Sequence, residues 1–94
     1  MAHAITISKA ELICLEPWEE LIGKVNRTLC DSGELIVGVW TPEKRVELRL
    51  PEESEEAETL AHNLIPVKKG DTIGILRTDM PGKRYMVRII ERNQ

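Results

Sequence analysis

The run Val67-Lys68-Lys69-Gly70-Asp71-Thr72-Ile73-Gly74-Ile75-Leu76-Arg77-Thr78 constrains this chain most, together with the return run from Arg84 to Glu91. β-Branched residues are densest here, and two apolar runs divided by Met80-Pro81-Gly82-Lys83 read as a β-hairpin. Pro81 and Gly82 suit the two central positions of a type II turn. Lys69-Gly70-Asp71 reads as the tight turn that feeds the first strand. Ile73 and Ile75 are expected to face Val87 and Ile89 on the inner side, with Tyr85 near the turn. Thr72, Gly74, Leu76, Arg84, Met86, Arg88 and Ile90 are expected on the outer side, which is neither cleanly polar nor cleanly apolar. A strict two-residue register would set Ile75 opposite Arg88 and mix the faces. The spacing therefore predicts a bulge near the turn.

The upstream residues read as material that packs against this hairpin. Ala4 to Ile7 and Glu11 to Glu16 have strand-like content, as one strand interrupted around Ser8-Lys9-Ala10 or as two short ones. Pro17 then opens an expected helix, with Glu19 and Glu20 in its first turn. Trp18, Leu21, Ile22, Val25 and Leu29 form its apolar stripe, and Gly23 is a tolerable interior cost. Asp31-Ser32-Gly33 is read as its end, with Gly33 as the left-handed cap. Glu34 to Trp40 is apolar on both faces, which predicts a central strand. Thr41-Pro42-Glu43-Lys44 is a turn. Arg45 to Leu50 alternates, with Val46, Leu48 and Leu50 inward and Arg45, Glu47 and Arg49 outward, so it pairs back as a hairpin. Pro51 begins an acid-loaded second helix capped by Ser54 or a nearby acid, with Ala57, Leu60, Ala61 and Leu64 as its thin apolar stripe. Ile65-Pro66 stops it.

These readings predict an α+β fold: a mostly antiparallel sheet of about five strands, flat or curled into an incomplete small barrel, with one long amphipathic helix and one short acidic helix. The expected order is strand, helix, hairpin, helix, hairpin, all within one small globular domain spanning residues 1–94. A split βαβ arrangement with an added hairpin is the competitor.

No apolar run approaches the roughly 20 residues that span a bilayer, and no basic segment precedes an apolar one at the N-terminus, so cytoplasmic residence is the expectation. Cys14 and Cys30 form no CxxC pair, and in that compartment a buried thiol is expected of each. The net charge is −3, which argues against a polycation drawn to nucleic acid as a whole. The charge is uneven, however. Lys68, Lys69, Arg77, Lys83, Arg84, Arg88 and Arg92 face only Asp71, Asp79 and Glu91 in the C-terminal part.

Chemistry is sparse. His3 and His62 are the histidines; His62 follows Glu58 by one helical turn and reads as a surface pair. Neither histidine stands in a nucleophile–base motif with a cysteine or serine. The cysteines and histidines follow no zinc-ligand spacing, and the glycines match neither GxxxxGK[ST] nor GxGxxG. No cofactor, metal site or catalytic residue is assigned, and the reading leans away from an enzyme. Leu76, Arg84, Met86, Arg88 and Ile90 form the expected interaction face, whose Met and Arg content suits an interface core. A self-associating or protein-contact module is the first expectation. A nucleic-acid-binding regulator is the alternative, with Lys68, Lys69, Lys83, Arg84, Arg88 and Arg92 as phosphate contacts. Aromatic platforms for single strands are few.

The string Val46-Glu47-Leu48-Arg49-Leu50-Pro51-Glu52, with Leu64-Ile65-Pro66-Val67-Lys68-Lys69-Gly70-Asp71-Thr72-Ile73 after it, resembles the AbrB-type swapped-hairpin DNA-binding domain over about a third of the chain. The resemblance implies a DNA-binding dimer. The segment between Pro51 and Gly70 is longer than that family's, and the helix expected after Pro17 is additional to it.

Overall fold

The computed structural model describes residues 10–93. The expected strand at Ala4 to Ile7 and His3 lie outside the described residues. The elements run β1 (Glu11–Ile13), β2 (Glu20–Asp31), β3 (Glu34–Trp40), β4 (Arg45–Pro51), α1 (Glu55–Asn63), β5 (Thr72–Arg77) and β6 (Tyr85–Glu91). Six strands form one mixed sheet in the order β1-β4-β3-β2-β5-β6. β1 runs parallel to β4, and the other pairings are antiparallel. The described strands leave the sheet open, with β1 and β6 as its edges.

The long amphipathic helix expected after Pro17 is not formed. Its residues are β2, and the described residues are mostly sheet, with α1 as their one short helix. The apolar spacing misled because two features disguise a strand. Gly23 occupies an inward position between Leu21 and Val25, where an alternating pattern would show a large apolar residue. The register then shifts between Val25 and Arg27, so Leu29 arrives four residues after Val25, as on a helix, but lies opposite Ile36. Asp31-Ser32-Gly33 is a hairpin turn rather than a helix cap. Ser32 and Gly33 have φ of 52° and 79°, the positive pair that a two-residue turn between right-twisted strands requires.

β2 holds the sheet together by changing partners along its length. Glu20 to Lys24 pair with β5, and Lys24 to Asp31 pair with β3. Gly23 lies at this junction. A Cβ there would press into the Trp40 carbonyl oxygen and the Val39 side chain.

The hairpins expected at β3–β4 and β5–β6 form. Ile73 faces Ile89 and Ile75 faces Val87. Pro81 and Gly82 make a type II turn, with Gly82 at φ 75° and Lys83 N–H donating to Met80 O at 3.1 Å. The register irregularity is not near this turn but at the far end, between Thr72 and Ile73. The loop is longer than two residues, which removes the conflict that a tight turn would create. Thr78 organises it: buried, it donates from Oγ1 to Lys83 O and from N to Arg84 O.

One face of the sheet is covered. Ala57, Leu60 and Leu64 of α1 and its C-terminal end pack with Val37, Leu48, Ile73, Ile75 and Tyr85 in the core. Ser54 caps α1 by accepting from Ala57 N at 3.1 Å. Two expectations of burial fail. Cys14 and Cys30 are both exposed. Trp18 is 57% exposed; with the helix gone, it is the third residue of a Glu16–Glu19 turn closed by Glu19 N–H to Glu16 O. No helix of the described residues is long and apolar enough to cross a membrane.

Replacing Gly23 with Ala is expected to destabilise the fold by about 1–3 kcal/mol, because backbone and Val39 must move to admit one methyl. Chemical denaturation would show a lower midpoint. An unchanged midpoint would mean that β2 and β3 are not in close contact at the junction.

Candidate functional site

Among the described residues the second face of the sheet carries no helix, and the residues singled out in β5 and β6 lie on it. Two cross-strand rows define the region. Glu20, Leu76 and Met86 lie side by side, and next to them Ile22, Gly74 and Arg88. Ile22 and Met86 are 45% and 48% exposed, and Leu76 between them is partly buried. Ile90 is also exposed, at the register shift. Ile22 was assigned to a helix stripe from sequence; its membership of this patch follows only from the strand pairing.

Arg88 does not stand free. Its Nε and Nη2 donate to the two carboxylate oxygens of Glu20, each at 2.9 Å, diagonally across β5. Gly74 makes room for this bridge, since a Cβ there would sit 2.5 Å from Glu20 Oε2. The pair raises the Arg88 pKa above its ordinary value, mainly through the Glu20 hydrogen bond. An exposed pair of this kind adds little stability, but it holds two long side chains flat beside the apolar groups.

The same device recurs across β3. Arg27, Gly38 and Glu47 lie in one row, and Arg27 Nη2 donates to Glu47 Oε2 at 2.7 Å. Glu47 was expected outside and is buried, with Arg49 donating to its other oxygen. Burial alone would push the Glu47 carboxyl up. The hydrogen bonds from Arg27 and Arg49 outweigh it and hold the group below its ordinary value. Glu47 is thus a satisfied structural acid.

The expected basic row is dispersed. Arg84 precedes β6, and its guanidinium donates to the Asp79 carbonyl. Arg92 donates to Pro66 O and lies 3.9 Å from Asp71. Lys68 and Lys69 are exposed at the turn into β5, and Lys83 at the hairpin tip. Arg88, on the open face, is engaged by Glu20. No group of three or more His, Cys, Asp or Glu side chains is placed to hold a metal ion among the described residues. An open, polar cavity of about 590 Å³ is lined by Lys24, Gly70, Thr72, Glu91, Arg92 and Asn93. His62 is exposed on α1, where it lines a shallow groove against Gly82.

Asp71 fixes the end of the hairpin. It is almost without solvent exposure, and it accepts from Asn93 N at 2.8 Å and Lys68 N at 2.9 Å. The hydrogen bonds from Asn93 and then Lys68 hold its carboxyl below its ordinary value. Lys69-Gly70-Asp71 is thereby a structural turn.

No protein-family model, curated protein or solved structure compared with this chain matches it. The resemblance to the AbrB-type domain therefore carries no assignment here, and β3–β4 and β5–β6 pair within the chain.

A depressed Asp71 pKa stabilises the fold fully above its ordinary value near 3.8, and this contribution is lost as pH falls below it. Asp71→Asn is therefore expected to be less stable than the parent at neutral pH, with the gap narrowing in acid. Thermal melts from pH 7 to pH 3 would test this; a gap independent of pH would assign the loss to packing.

Proposed function

We propose that this chain is a non-catalytic protein-contact module that associates through the uncovered face of β2, β5 and β6. The observation that carries this reading is the cross-strand pair Leu76 and Met86, with Ile22 near it, on the sheet face opposite α1. Single exposed apolar residues are ordinary on a soluble surface, but Leu76 and Met86 are direct cross-strand neighbours, with Ile22 across the Glu20 side chain that reaches over Gly74. The Glu20–Arg88 bridge beside them supplies a polar border whose charges already satisfy each other. Interfaces of this composition, Met and Arg around an aliphatic centre, shed water at modest electrostatic cost.

The dispersal of the basic residues favours this reading over nucleic-acid binding. A phosphate-tracking surface presents several unpaired cations in line. Here Arg84, Arg88 and Arg92 are directed to a carbonyl, a carboxylate and the hairpin end respectively. Cytoplasmic residence belongs to the same proposal. Two exposed thiols, Cys14 and Cys30, with no disulfide between them suit a reducing compartment.

Light scattering on the purified chain is expected to give a mass above that of the monomer, and Met86→Glu is expected to return it to the monomer with an unchanged circular dichroism spectrum. A parent mass already monomeric across the accessible concentration range, together with no change on substitution, would overturn the reading. Salt-sensitive shifts of labelled DNA or RNA by the parent would favour the nucleic-acid alternative instead.

A further inference from the structure

We propose that the partner at this surface is a second copy of the chain, joined edge to edge through antiparallel pairing of β6 with a twofold axis through Arg88. This rests on reading β5 and β6 as a contact surface, and it adds the partner and the register.

The direction of the backbone groups comes first. Thr78 N–H donates to Arg84 O within the hairpin, whereas Arg77 N–H donates away from β6 to Glu19 O. Hydrogen bonding alternates along an antiparallel pair. Met86 and Arg88 therefore bond inward to Leu76 and Gly74, and Tyr85, Val87 and Ile89 turn their N–H and C=O groups to the outer edge. Asn63 Nδ2 donates to Tyr85 O at 2.8 Å, which fits this direction and caps the first of these carbonyls. Among the described residues Val87 and Ile89 have no strand beside them on the outer side, because β6 ends the sheet.

Such an edge is normally blunted by charge or proline. Between Met86 and Ile90 the only charged side chain is Arg88, and it is drawn to Glu20. α1 flanks the edge at Tyr85 to Val87 through Thr59, His62 and Asn63, and the space between them is open. A groove of about 320 Å³ between α1 and β6 borders the edge at Tyr85, Met86 and Val87.

The edge is self-complementary. Val87 and Ile89 are equidistant from Arg88. In an antiparallel pair centred there, Val87 of each copy exchanges both backbone bonds with Ile89 of the other. Met86 then lies opposite Ile90 of the second copy, which joins two exposed apolar residues. Arg88 meets Arg88 across the axis, but each is neutralised by its own Glu20. The Asn63 cap at one end and the register shift at Ile90 at the other confine the ladder to this centre. The result is a closed pair rather than a growing fibre.

The test is disulfide mapping in a Cys14→Ser, Cys30→Ser background. Arg88 is a non-hydrogen-bonded position across the axis, where opposed Cα atoms lie about 4.5 Å apart, so Arg88→Cys is expected to shift to a covalent dimer under mild oxidation by oxidised glutathione. Leu76→Cys, one strand inward, is expected to stay monomeric on a non-reducing gel. The double variant Met86→Cys, Ile90→Cys keeps the Glu20–Arg88 pair and is expected to crosslink as well. A dimeric mass with no crosslink in either the single or the double variant would overturn the edge pairing and leave the contact reading standing. A dimer crosslinking at 76 and not at 88 would mean face-to-face packing, with the same consequence. A chain monomeric at every concentration would overturn both.

Discussion

Every other element depends on β2 being shared between two ladders. Its first half is bonded to β5 and its second half to β3, and Lys24 carries partners on both sides. The core is built across this junction, because Val37 and Leu48 come from one side and Ile73 and Ile75 from the other. Backbone pairing alone would leave two small ribbons, neither able to bury enough apolar surface to stand by itself. A continuous β2 lets them share one core under α1. The missing side chain of Gly23 is the local condition for it, since Val39 fills that space. The register shift two residues later lets the same strand bend into the second ladder.

The uncovered face uses glycine in another way. Gly74 and Gly38 each lie beneath an ion pair that reaches over a middle strand, Glu20 to Arg88 and Arg27 to Glu47. The first of these pairs joins an acidic residue from early in the sequence to a cation of the C-terminal part, and Arg92 lies near Asp71. This is why a count of cations in the C-terminal part overstates the positive surface there, and why the apolar strip beside Arg88 is the more distinctive feature.

How much of this was legible beforehand varies with how local the cause is. β3, β4 and the faces of β5 and β6 follow from alternation and turn residues, which act over a few positions. The Ser54 cap and the acidic first turn of α1 are similarly local. β2 was not legible, because its glycine and its shifted register each have a tertiary cause: the approach of Val39 and the change of partner strand. The helical spacing of Leu21, Val25 and Leu29 was real in the sequence, but it arose from a strand whose two halves face different neighbours. The proposed contact surface was half legible. Leu76, Met86, Arg88 and Ile90 share a face by parity, whereas Ile22 and Glu20 join them only through a pairing that the helix assignment excluded, and Arg84 drops out because β6 begins after it. The buried Glu47 could not be foreseen, since an outward position on an alternating strand gives no sign that two arginines will close over it.

One short helix covers one face of a six-stranded sheet, and this imbalance bears on function. Among the described residues the second face has no helix over it. Its middle is closed by long side chains lying flat: Arg27 and Arg49 over Glu47, and Arg88 beside Gly74. That solution works where a glycine allows the bridge to lie low. It stops at the Glu20–Leu76–Met86 row, where Leu76 occupies the middle strand and leaves no such channel. The apolar strip therefore begins where intramolecular cover runs out, and it continues to the strand at the sheet's edge. Small domains commonly complete a core of this kind by association, since burial against a partner supplies the apolar contact that their own chain is too short to provide. An uncovered face that meets an unpaired edge combines non-directional apolar attraction with directional backbone bonding. The first favours association in general, and the second selects one register.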